Sequence, residues 1–385
     1  MENNMNENIQ RAGFFVNQPT GYQSFVPKKL PPDPPIEYDV EMLRLLSEAD
    51  RKLGRLDGVT QILPNPELFV AMYVKKEAVL SSQIEGTQAS LTDVLELEKK
   101  IEKNEDVGEI VNYVAALDYG MKRMQDFPLS LRLLREIHKV LLSKGRGSNR
   151  NPGEFRTSQN WIGTPGCTLQ NATFVPPAVP DMKDALNDLE GYFYDESDIP
   201  LLIKIALIHA QFETIHPFLD GNGRMGRLLI TFLLWQKGIL SKPLLYLSYY
   251  FKENRMDYYD CLMAVRKRGE WENWIKFFLK GISQVSDEAT STAKEILNLR
   301  TAFEKKVSAL HNTYAMRLFD YIFEAPYLSK NTVKDYLHLT YPTAGRLIDD
   351  FCGLNILQDA TPEKRRNKQY VFTEYIKILN RGTEI

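Results

Sequence analysis

Cysteine is scarce in this sequence, and the few that are present form no recognisable pattern. Cys167, Cys261 and Cys352 are odd in number and far apart, with no C-x-x-C spacing. This usage indicates neither a disulfide framework nor a zinc site. An excess of charge of one sign is also absent, since 48 basic and 50 acidic residues leave a net charge of −2. The chain as a whole therefore has no general attraction for nucleic acid or an anionic membrane.

Long apolar runs and a recognisable leader are missing too. The longest apolar stretches, such as residues 228–235, are too short to span a bilayer. Residues 1–18 are polar and rich in asparagine, which is unlike a signal peptide. We therefore expect a cytoplasmic protein without a membrane partner.

The sequence does contain enough apolar material for sizeable cores. Its 385 residues are 43% hydrophobic, and this length predicts two or three domains. Most segments place their apolar residues at helical spacing, which predicts a mainly α-helical protein.

Residues 215–228, which read IHPFLDGNGRMGRL, concentrate the chemically versatile side chains. The apolar spacing on either side predicts one helix that ends just before His216 and another that begins near Gly223. A loop that leads into a helix N-terminus favours anions, because the first N–H groups lack partners and the helix dipole attracts negative charge. The stretch therefore predicts an anion site.

Roles within this stretch follow from side-chain chemistry. Gly221 and Gly223 allow backbone conformations closed to other residues and let a phosphate approach the main chain. Arg224 and Arg227 are three residues apart on the expected helix, so both can point at one polyphosphate. Asp220 is a hard oxygen ligand suited to Mg²⁺, which reaches proteins through one or two carboxylates plus substrate phosphates.

His216 adds a group that titrates near neutral pH. It can take a proton from an attacking hydroxyl. Together with its neighbours it fits phosphoryl or nucleotidyl transfer. The ordinary alternative is a helix–loop–helix with a satisfied histidine.

Residues 216–227 resemble the H-P-F-x-[D/E]-G-N-G-R-x-x-R signature of Fic-domain proteins, and every fixed position matches. Most Fic enzymes transfer AMP from ATP to a hydroxyl side chain of a target protein and release pyrophosphate. The resemblance implies that His216 is the base, that Asp220 holds Mg²⁺ and that Phe218 packs inward. It also implies that the nucleotide phosphates are bound by Gly221, Asn222, Gly223, Arg224, Met225, Gly226 and Arg227.

A second motif lies at the end of a helix predicted over residues 66–86 and capped by Asn65. Glu85 is at the unfavourable end of the helix dipole, so water or a cation must compensate its charge. The spacing of Ser81 and Glu85 resembles the inhibitory motif [S/T]-x-x-x-E-[G/N] of many Fic proteins. There the glutamate pairs with the second arginine of the signature, here Arg227, and blocks the γ-phosphate. The alternative is a solvated acid.

Residues 144–180 are rich in Gly, Pro, Asn and Thr, with short β-branched runs. Residues 157–163 and 172–177 are candidates for the two arms of a hairpin. In Fic proteins a β-hairpin flap at this place clamps the target segment by strand addition. The resemblance thus implies that the target hydroxyl docks on residues 157–177, and the alternative is a long surface loop.

Aromatic residues follow the signature. Tyr258 and Tyr259 resemble the place where family members line the adenine pocket. The alternative is burial in the core, which is common for aromatic residues at helical spacing. Two other histidines, His138 and His209, are expected to be structural.

The C-terminal part has the pattern of a small unit of its own. Three helices are expected at 318–323, 331–337 and 343–351. Two strands are expected at 354–359 and 369–373, on either side of a basic run at 362–368. Three helices with a basic hairpin resemble a winged helix, which can place one helix in a DNA groove. Asp349 and Asp350 load that helix with acid, so nucleic-acid binding and a protein-docking or dimer-forming role both stay open.

Together these patterns predict a mainly α-helical chain in four parts. An extended arm at 1–37 precedes a helical region at 38–105 with the inhibitory helix, a Fic core at 106–285 with a small β-hairpin flap, and a linker helix with a winged helix at 286–385. The resemblance implies a self-inhibited adenylyltransferase that uses ATP and Mg²⁺, with self-modification also open. Alternatives are a Fic enzyme that uses another nucleotide or phospho-donor, or removes AMP, and a DNA-binding regulator whose core senses a ligand.

Overall fold

A computed structural model describes residues 11–61, 66–97, 105–164 and 166–383, which are mainly helical, as predicted. The first helices are α1 (Val40–Gln61), α2 (Pro66–Ile84), α3 (Leu91–Leu97), α4 (Glu105–Arg123), α5 (Leu131–Leu141), α6 (Val179–Phe193), α7 (Leu201–Ile215) and α8 (Asn222–Gln236). They are followed by α9 (Ser248–Glu253), α10 (Arg255–Arg268), α11 (Trp271–Ser308), α12 (Thr313–Glu324), α13 (Lys330–Leu337), α14 (Tyr341–Gly353) and α15 (Thr373–Asn380). None of the helices described is long and apolar enough to cross a membrane.

Helix α1 packs along α11, which is 38 residues long. The buried positions of α1 recur every three or four residues, at Met42, Leu45, Ala49, Leu53, Leu56 and Thr60. This spacing places them on one face, which is the condition for a helix to lie against a neighbour. Lys52, at the edge of this face, forms an ion pair with Asp287 of α11 over 2.6 Å.

Helix α7 is buried along nearly its whole length, because its sequence is apolar all round. Helix α8 packs against it, and the loop between the two begins at His216 and ends at Gly221. Both helix ends match the prediction from apolar spacing. The core thus holds the loop from two sides.

Helix α2 begins at Pro66, as predicted, while its expected cap Asn65 lies outside the described residues. The helix ends at Ile84, and Gly86 has a φ of 98°, in the left-handed region typical of a glycine after a helix. Helix α2 packs against α4 and α9. The acid at position 85 therefore follows directly on a helix fixed in the core.

Part of the expected extended arm is a β-hairpin. Strands β1 (Gly13–Asn17) and β2 (Gln23–Pro27) pair antiparallel, with Phe15 opposite Phe25. The ring of Phe25 is buried and lies between those of Phe15 and Phe174. Short apolar runs, FFV and FV, lie on either side of a Pro-Thr-Gly turn, and the proline-rich run that follows obscured this hairpin in the sequence.

The predicted flap hairpin at 157–177 is reduced to one bridge, between Ile162 and Phe174. Pro176 and Pro177 have no N–H group with which to continue the ladder. Strand β2 lies along the other side of this segment, since the Phe25 N–H donates to the Val175 carbonyl over 3.0 Å. The segment is therefore flanked by the N-terminal hairpin.

The three helices predicted for the C-terminal part correspond to α12, α13 and α14, each with longer bounds. The sheet has three antiparallel strands in the order β3 (Tyr327–Ser329), β5 (Gln369–Val371), β4 (Gln358–Asp359). The two predicted strands are shorter than expected, and β3 was not predicted. A three-residue strand offers too little alternation to be recognised.

Helices α12 and α15 of this C-terminal part pack against α2. Beyond α15, the Thr383 carbonyl accepts a hydrogen bond from Gln83 Nε2 over 3.2 Å. Asn380 donates to Thr92 Oγ1 over 3.2 Å. The end of the chain therefore touches the helix that leads to Glu85.

Candidate active site

The loop between α7 and α8 is closed by a side chain of α8 itself. Asn222 accepts a hydrogen bond from the Phe218 N–H and donates one to the Phe218 carbonyl, each 2.8 Å long. His216 (φ 49°) and Gly221 (φ 78°) both have left-handed backbones, which turn the chain at the two ends of the loop. Asn160, from the flap segment, donates to the carbonyls of His216 and Phe218 over 3.1 and 2.9 Å. Hydrogen bonds within the protein therefore fix the loop.

His138 supports the loop from below, which agrees with the structural role expected for it. Its ring stacks on Phe218 with the centroids 3.7 Å apart. The Gly153 N–H donates to Nδ1 over 2.9 Å, so Nε2 carries the proton and donates to the Asp220 carbonyl over 2.9 Å. Burial lowers the pKa of His138 to about 4, so the ring is neutral. Phe218 is fully buried, as predicted.

Arg224 points into the interior with its side chain 1% exposed. Nη1 donates to Glu109 Oε2 over 3.3 Å, and Nη2 lies 3.8 Å from Asp220 Oδ1. Within the described residues, Nε and Nη2 are buried without a hydrogen-bond partner. Unpaired guanidinium donors fit phosphate oxygens, with which they form charge-assisted hydrogen bonds.

Arg227 is held by the last turns of α2. Nε donates to Ser81 Oγ over 2.8 Å, and Nη2 donates to the Ser81 carbonyl over 2.9 Å and to Glu85 Oε1 over 2.8 Å. A Cβ atom built on Gly223 would lie 2.2 Å from the same Glu85 oxygen, so the carboxylate sits directly against the loop. Burial alone would raise the pKa of Glu85, but the charge of Arg227 holds it below its ordinary value. The structure thus brings together the two residues paired by the resemblance.

Two residues of the predicted phosphate set face away from the loop. Met225 is fully buried in the core. Gly226 faces α7, where a Cβ atom would lie 2.4 Å from Glu213 Oε1. Their positions on the first turns of α8, one residue off the arginine face, account for this difference. The other members of the predicted set are Gly221, Asn222, Gly223, Arg224 and Arg227, and a phosphate contact by Met225 or Gly226 stays a prediction.

Asp220 is the residue available for a metal ion. Its carboxylate is 32% exposed, and Oδ1 accepts a hydrogen bond from the Gly221 N–H over 2.6 Å. No group of three or more His, Cys, Asp and Glu side chains in the described ranges could hold a metal by itself. A single carboxylate fits Mg²⁺, which takes its other ligands from phosphates and water.

His216 is surrounded by buried cations. Burial, followed by the charges of Arg266 and Arg156, lowers its pKa to about 3. Arg156 donates Nε to the His216 carbonyl over 3.1 Å, which fixes this cation near the ring. The imidazole is therefore neutral at pH 7 and has a free lone pair with which to accept a proton.

The predicted adenine-lining pair divides between core and surface. Tyr258 is buried, with its hydroxyl 2.9 Å from His209 Nε2 and its ring stacked on Phe251. Its side of α10 faces the aromatic core, and its contact with a nucleotide stays a prediction. Tyr259 is 37% exposed and remains available. His209 is a buried packing residue, as expected.

Several residues that shape the site were not predicted, namely Glu77, Glu109, Arg156, Asn160 and Glu213. Glu109 is 115 residues from its partner Arg224, so no local pattern reveals the pair. Glu77 lies on α2 one turn before Ser81, with its carboxylate accepting from Tyr113 and Ser248. Only its helical spacing from Ser81 and Glu85 could have identified it. Burial raises the pKa of Glu77 to about 7.

Comparisons with known proteins agree with this geometry. Residues 43–122 match the model of the Fic/DOC family N-terminal region, and residues 128–234 match that of the Fic/DOC family. A protein adenylyltransferase Fic from Culex quinquefasciatus is 29% identical over 204 residues, which cover 50% of this chain and 37% of that protein. A probable protein adenylyltransferase from Aquifex aeolicus is 25% identical over 186 residues, 48% of this chain and 54% of that protein. The matches thus span about half or less of these relatives.

A comparison of folds gives a longer match. A crystal structure of a Fic family protein from Desulfovibrio desulfuricans G20 matches with a TM-score of 0.57 at 20% identity. The match covers 88% of this chain and 97% of that one. Residues 43–122 and 128–234, the two segments that match the Fic/DOC family models, thus lie within a fold similar to that of a Fic family protein.

Proposed function

We propose that the protein is an adenylyltransferase that transfers AMP from ATP to a Ser, Thr or Tyr hydroxyl of a target protein, and that Glu85 holds it inactive. The observation that carries the proposal is the ion pair between Arg227 and Glu85, placed against Gly223 in the signature loop. Autoinhibition of a nucleotide site requires a carboxylate that neutralises a phosphate-binding guanidinium, and this ion pair has that arrangement.

The nucleotide phosphates would lie over the loop and the first turn of α8. Arg224 supports this placement, because two of its buried nitrogens lack partners among the described residues. The first-turn N–H groups of α8 and its dipole add to the attraction. Asp220 would hold Mg²⁺, which when bound neutralises phosphate charge and orients the phosphates.

The chemical step needs a base for the target hydroxyl, and His216 is in place for it. As the hydroxyl oxygen forms a bond to the α-phosphorus, its proton passes to the neutral imidazole. The bond from the α-phosphorus to the bridging oxygen breaks, and pyrophosphate leaves. The products are the AMP ester of the target, pyrophosphate and a protonated His216.

Inhibition follows from competition for Arg227. The γ-phosphate would need the donors that Glu85 and Ser81 now occupy. Breaking a charge-assisted pair of this kind costs about 1.5–3 kcal/mol unless a new partner replaces it. ATP can replace Glu85 only in part while the carboxylate stays in position.

A target segment would dock as a strand beside residues 157–177. Strand β2 already pairs with the arm that contains Val175. The edge left for a target strand is that of the other arm, which contains Ile162 and Trp161, and the Trp161 side chain is 42% exposed. Main-chain hydrogen bonds there would give affinity, and the exposed indole would contribute to selection.

The test is incubation with ATP labelled on the α-phosphate, with self-modification and modification of lysate proteins as readouts. The Glu85→Gly variant is expected to label protein strongly, and the same variant with His216→Ala is expected not to. Mass spectrometry of the modified protein identifies the donor and separates AMP transfer from transfer of another group. An AMP-modified protein incubated with the enzyme tests AMP removal. Absence of any labelling by Glu85→Gly would contradict the proposal.

A second candidate is a DNA-binding regulator in which the Fic core senses a nucleotide. A cavity of about 560 Å³ lies between the basic run and the N-termini of α13 and α14. Its described lining includes Lys330, Arg365 and Arg366 and no carboxylate. Such a groove complements a phosphate backbone. A DNA shift that weakens steeply with salt and is lost in the Arg365→Ala, Arg366→Ala double variant would support this function.

A further inference from the structure

A second buried carboxylate, Glu213, lies beside His216 at the end of α7. Its Oε2 is 3.9 Å from His216 Nδ1. The left-handed backbone of His216 caps α7 and turns the imidazole back over the helix's last turn. The two side chains are 8% and 20% exposed, so water has little access to the space between them.

Each of these two side chains has a polar atom that lacks a partner. Glu213 Oε1 and His216 Nδ1 are both buried and make no hydrogen bond within the described residues. Buried polar groups that serve only packing are almost always paired. An unpaired nitrogen that faces a carboxylate is instead typical of a contact that tightens when substrate binds.

The signature provides the space for this carboxylate. A Cβ atom on Gly226 would lie 2.4 Å from Glu213 Oε1 and 3.3 Å from the ring of Phe212. Any other residue at this position would push the carboxylate away. The absence of a side chain at Gly226 thus makes room for Glu213.

The charges around His216 explain why such a carboxylate matters. Arg266, from α10, donates Nη2 to the Glu213 carbonyl and Nε to Thr214 Oγ1, and Arg156 donates to the His216 carbonyl. These fixed cations oppose the imidazolium that forms when His216 takes a proton. The negative charge of Glu85, at the end of α2, counteracts these cations and raises the pKa of His216. On the proposed function, however, Glu85 leaves its position when ATP binds.

Removal of Glu85 also acts on Glu213 itself. Burial raises the pKa of Glu213, Arg227 lowers it, Glu85 raises it and Arg266 lowers it, with a net value of about 7. Loss of the Glu85 charge therefore lowers the pKa of Glu213 and favours its ionised form. The same event that opens the site thus leaves Glu213 as the carboxylate next to His216.

We infer that Glu213 is the positioning residue of His216: its carboxylate accepts the Nδ1–H, aims Nε2 at the target hydroxyl and stabilises the imidazolium. The inference rests on the proposed function. The proton moves from the hydroxyl to Nε2 and stays on the imidazole, while Glu213 remains ionised. The main-chain carbonyl of Glu213 is the competing acceptor for Nδ1, and it is unchanged by side-chain substitution.

Kinetics of Glu213→Gln and Glu213→Asp, both in the Glu85→Gly background, test the inference. The amide keeps the size of the side chain but removes its charge, so kcat should fall about 10- to 100-fold with an unchanged KM for ATP. The acidic limb of the kcat profile reports ionisation of Glu213, whose carboxylate must be charged to support His216, and it should be lost in the glutamine variant. The aspartate variant should restore part of kcat and of the limb. A purely structural role would leave the limb in place.

A second measurement does not depend on activity. In ¹⁵N spectra of labelled histidine, with His216→Ala used for assignment, His216 should carry its proton on Nδ1. At a pH above 7, where Glu213 is ionised, the share of this Nδ1-protonated tautomer should fall in Glu213→Gln, since an amide oxygen is a weaker acceptor than a carboxylate. If the parent labels nothing, the proposed function fails while the tautomer still decides the role of Glu213. A tautomer ratio within error of the parent would overturn the inference.

Discussion

Arg227 donates a hydrogen bond to Glu85 over 2.8 Å, although 142 residues separate the two in the chain. Ser81, one turn earlier on α2, accepts from the same guanidinium. The end of one helix thus satisfies the donors at the start of another. The group that replaces Glu85 at Arg227, when that contact opens, determines how the variants behave.

Glu85→Gly is expected to raise adenylylation by roughly ten- to a hundredfold, since the charge-assisted bond it removes is worth about 1.5–3 kcal/mol. The affinity for ATP should rise as well, because Arg227 gains the γ-phosphate. Adding Arg227→Ala should lose most of this gain. Labelled ATP measures the transfer, and calorimetry measures the affinity.

Glu67→Gly is the matched control, because it makes the same change in the first turn of the same helix, at a side chain that is 71% exposed. It should leave transfer unchanged. Equal activity of Glu85→Gly and the wild type on all hydroxyl substrates would end the case for self-inhibition.

His216→Ala should abolish transfer and leave ATP binding intact, because a base acts on the target hydroxyl and not on nucleotide affinity. General base catalysis contributes about 10²- to 10⁴-fold, which sets the size of the expected loss. Single-turnover labelling in the Glu85→Gly background measures it. Transfer near the parent rate would remove His216 from the mechanism.

Asp220→Ala should weaken ATP binding in the presence of Mg²⁺ and have little effect in its absence. The reason is that the carboxylate acts through the ion and not on the phosphates directly. A magnesium titration of ATP affinity, with and without the substitution, is the measurement. Identical curves would show that the ion, if present, binds elsewhere.

Gly226→Ala should lower kcat and weaken the acidic limb, as Glu213→Gln does, because its Cβ would displace the Glu213 carboxylate. Stability should stay within about 1 kcal/mol, since alanine is the better helix former and the displaced atom ends a flexible chain. Thermal melts and kinetics are measured together. A fall in kcat with an unchanged limb would point to distortion of the loop instead.

Gln83→Ala should raise self-adenylylation several-fold, to a level between the wild type and Glu85→Gly. Its amide donates to the Thr383 and Ala89 carbonyls, and it accepts from Lys252, so it anchors the last turn of α2 from two sides. Gln61→Ala, on an exposed part of α1, is the control. Unchanged labelling would show that the C-terminal contacts do not support the block.

The parts of the site that the sequence predicted are those written in local patterns. The ends of α7 and α8 follow from apolar spacing and the glycines between them, and both appear where expected. The pairing of Glu85 with Arg227 came from the family resemblance, because no local rule connects positions so far apart. Partners such as Glu109 for Arg224 depend on how helices pack, which periodicity does not encode.

The differences have identifiable physical causes. Tyr258 is buried among aromatic residues, which the sequence does not reveal because helical spacing cannot tell a pocket-facing aromatic residue from a core one, and its contact with a nucleotide stays a prediction. The two arms of the flap pair at Ile162 and Phe174, as predicted, but Pro176 and Pro177 interrupt the ladder, and β2 supplies a neighbouring strand. Met225 and Gly226 turn away from the loop, and a linear motif does not show which side of a helix a residue occupies.

The order of α2 and α8 along the chain has a consequence for biosynthesis. At roughly 5–20 residues per second, a ribosome needs roughly 7 to 28 s to proceed across the 142 residues from Glu85 to Arg227. The carboxylate is therefore already made when the guanidinium that it neutralises is still to be translated. On the proposed function, each new molecule therefore completes its nucleotide loop when the inhibitory carboxylate is already in the chain, and no active form precedes the inhibited one.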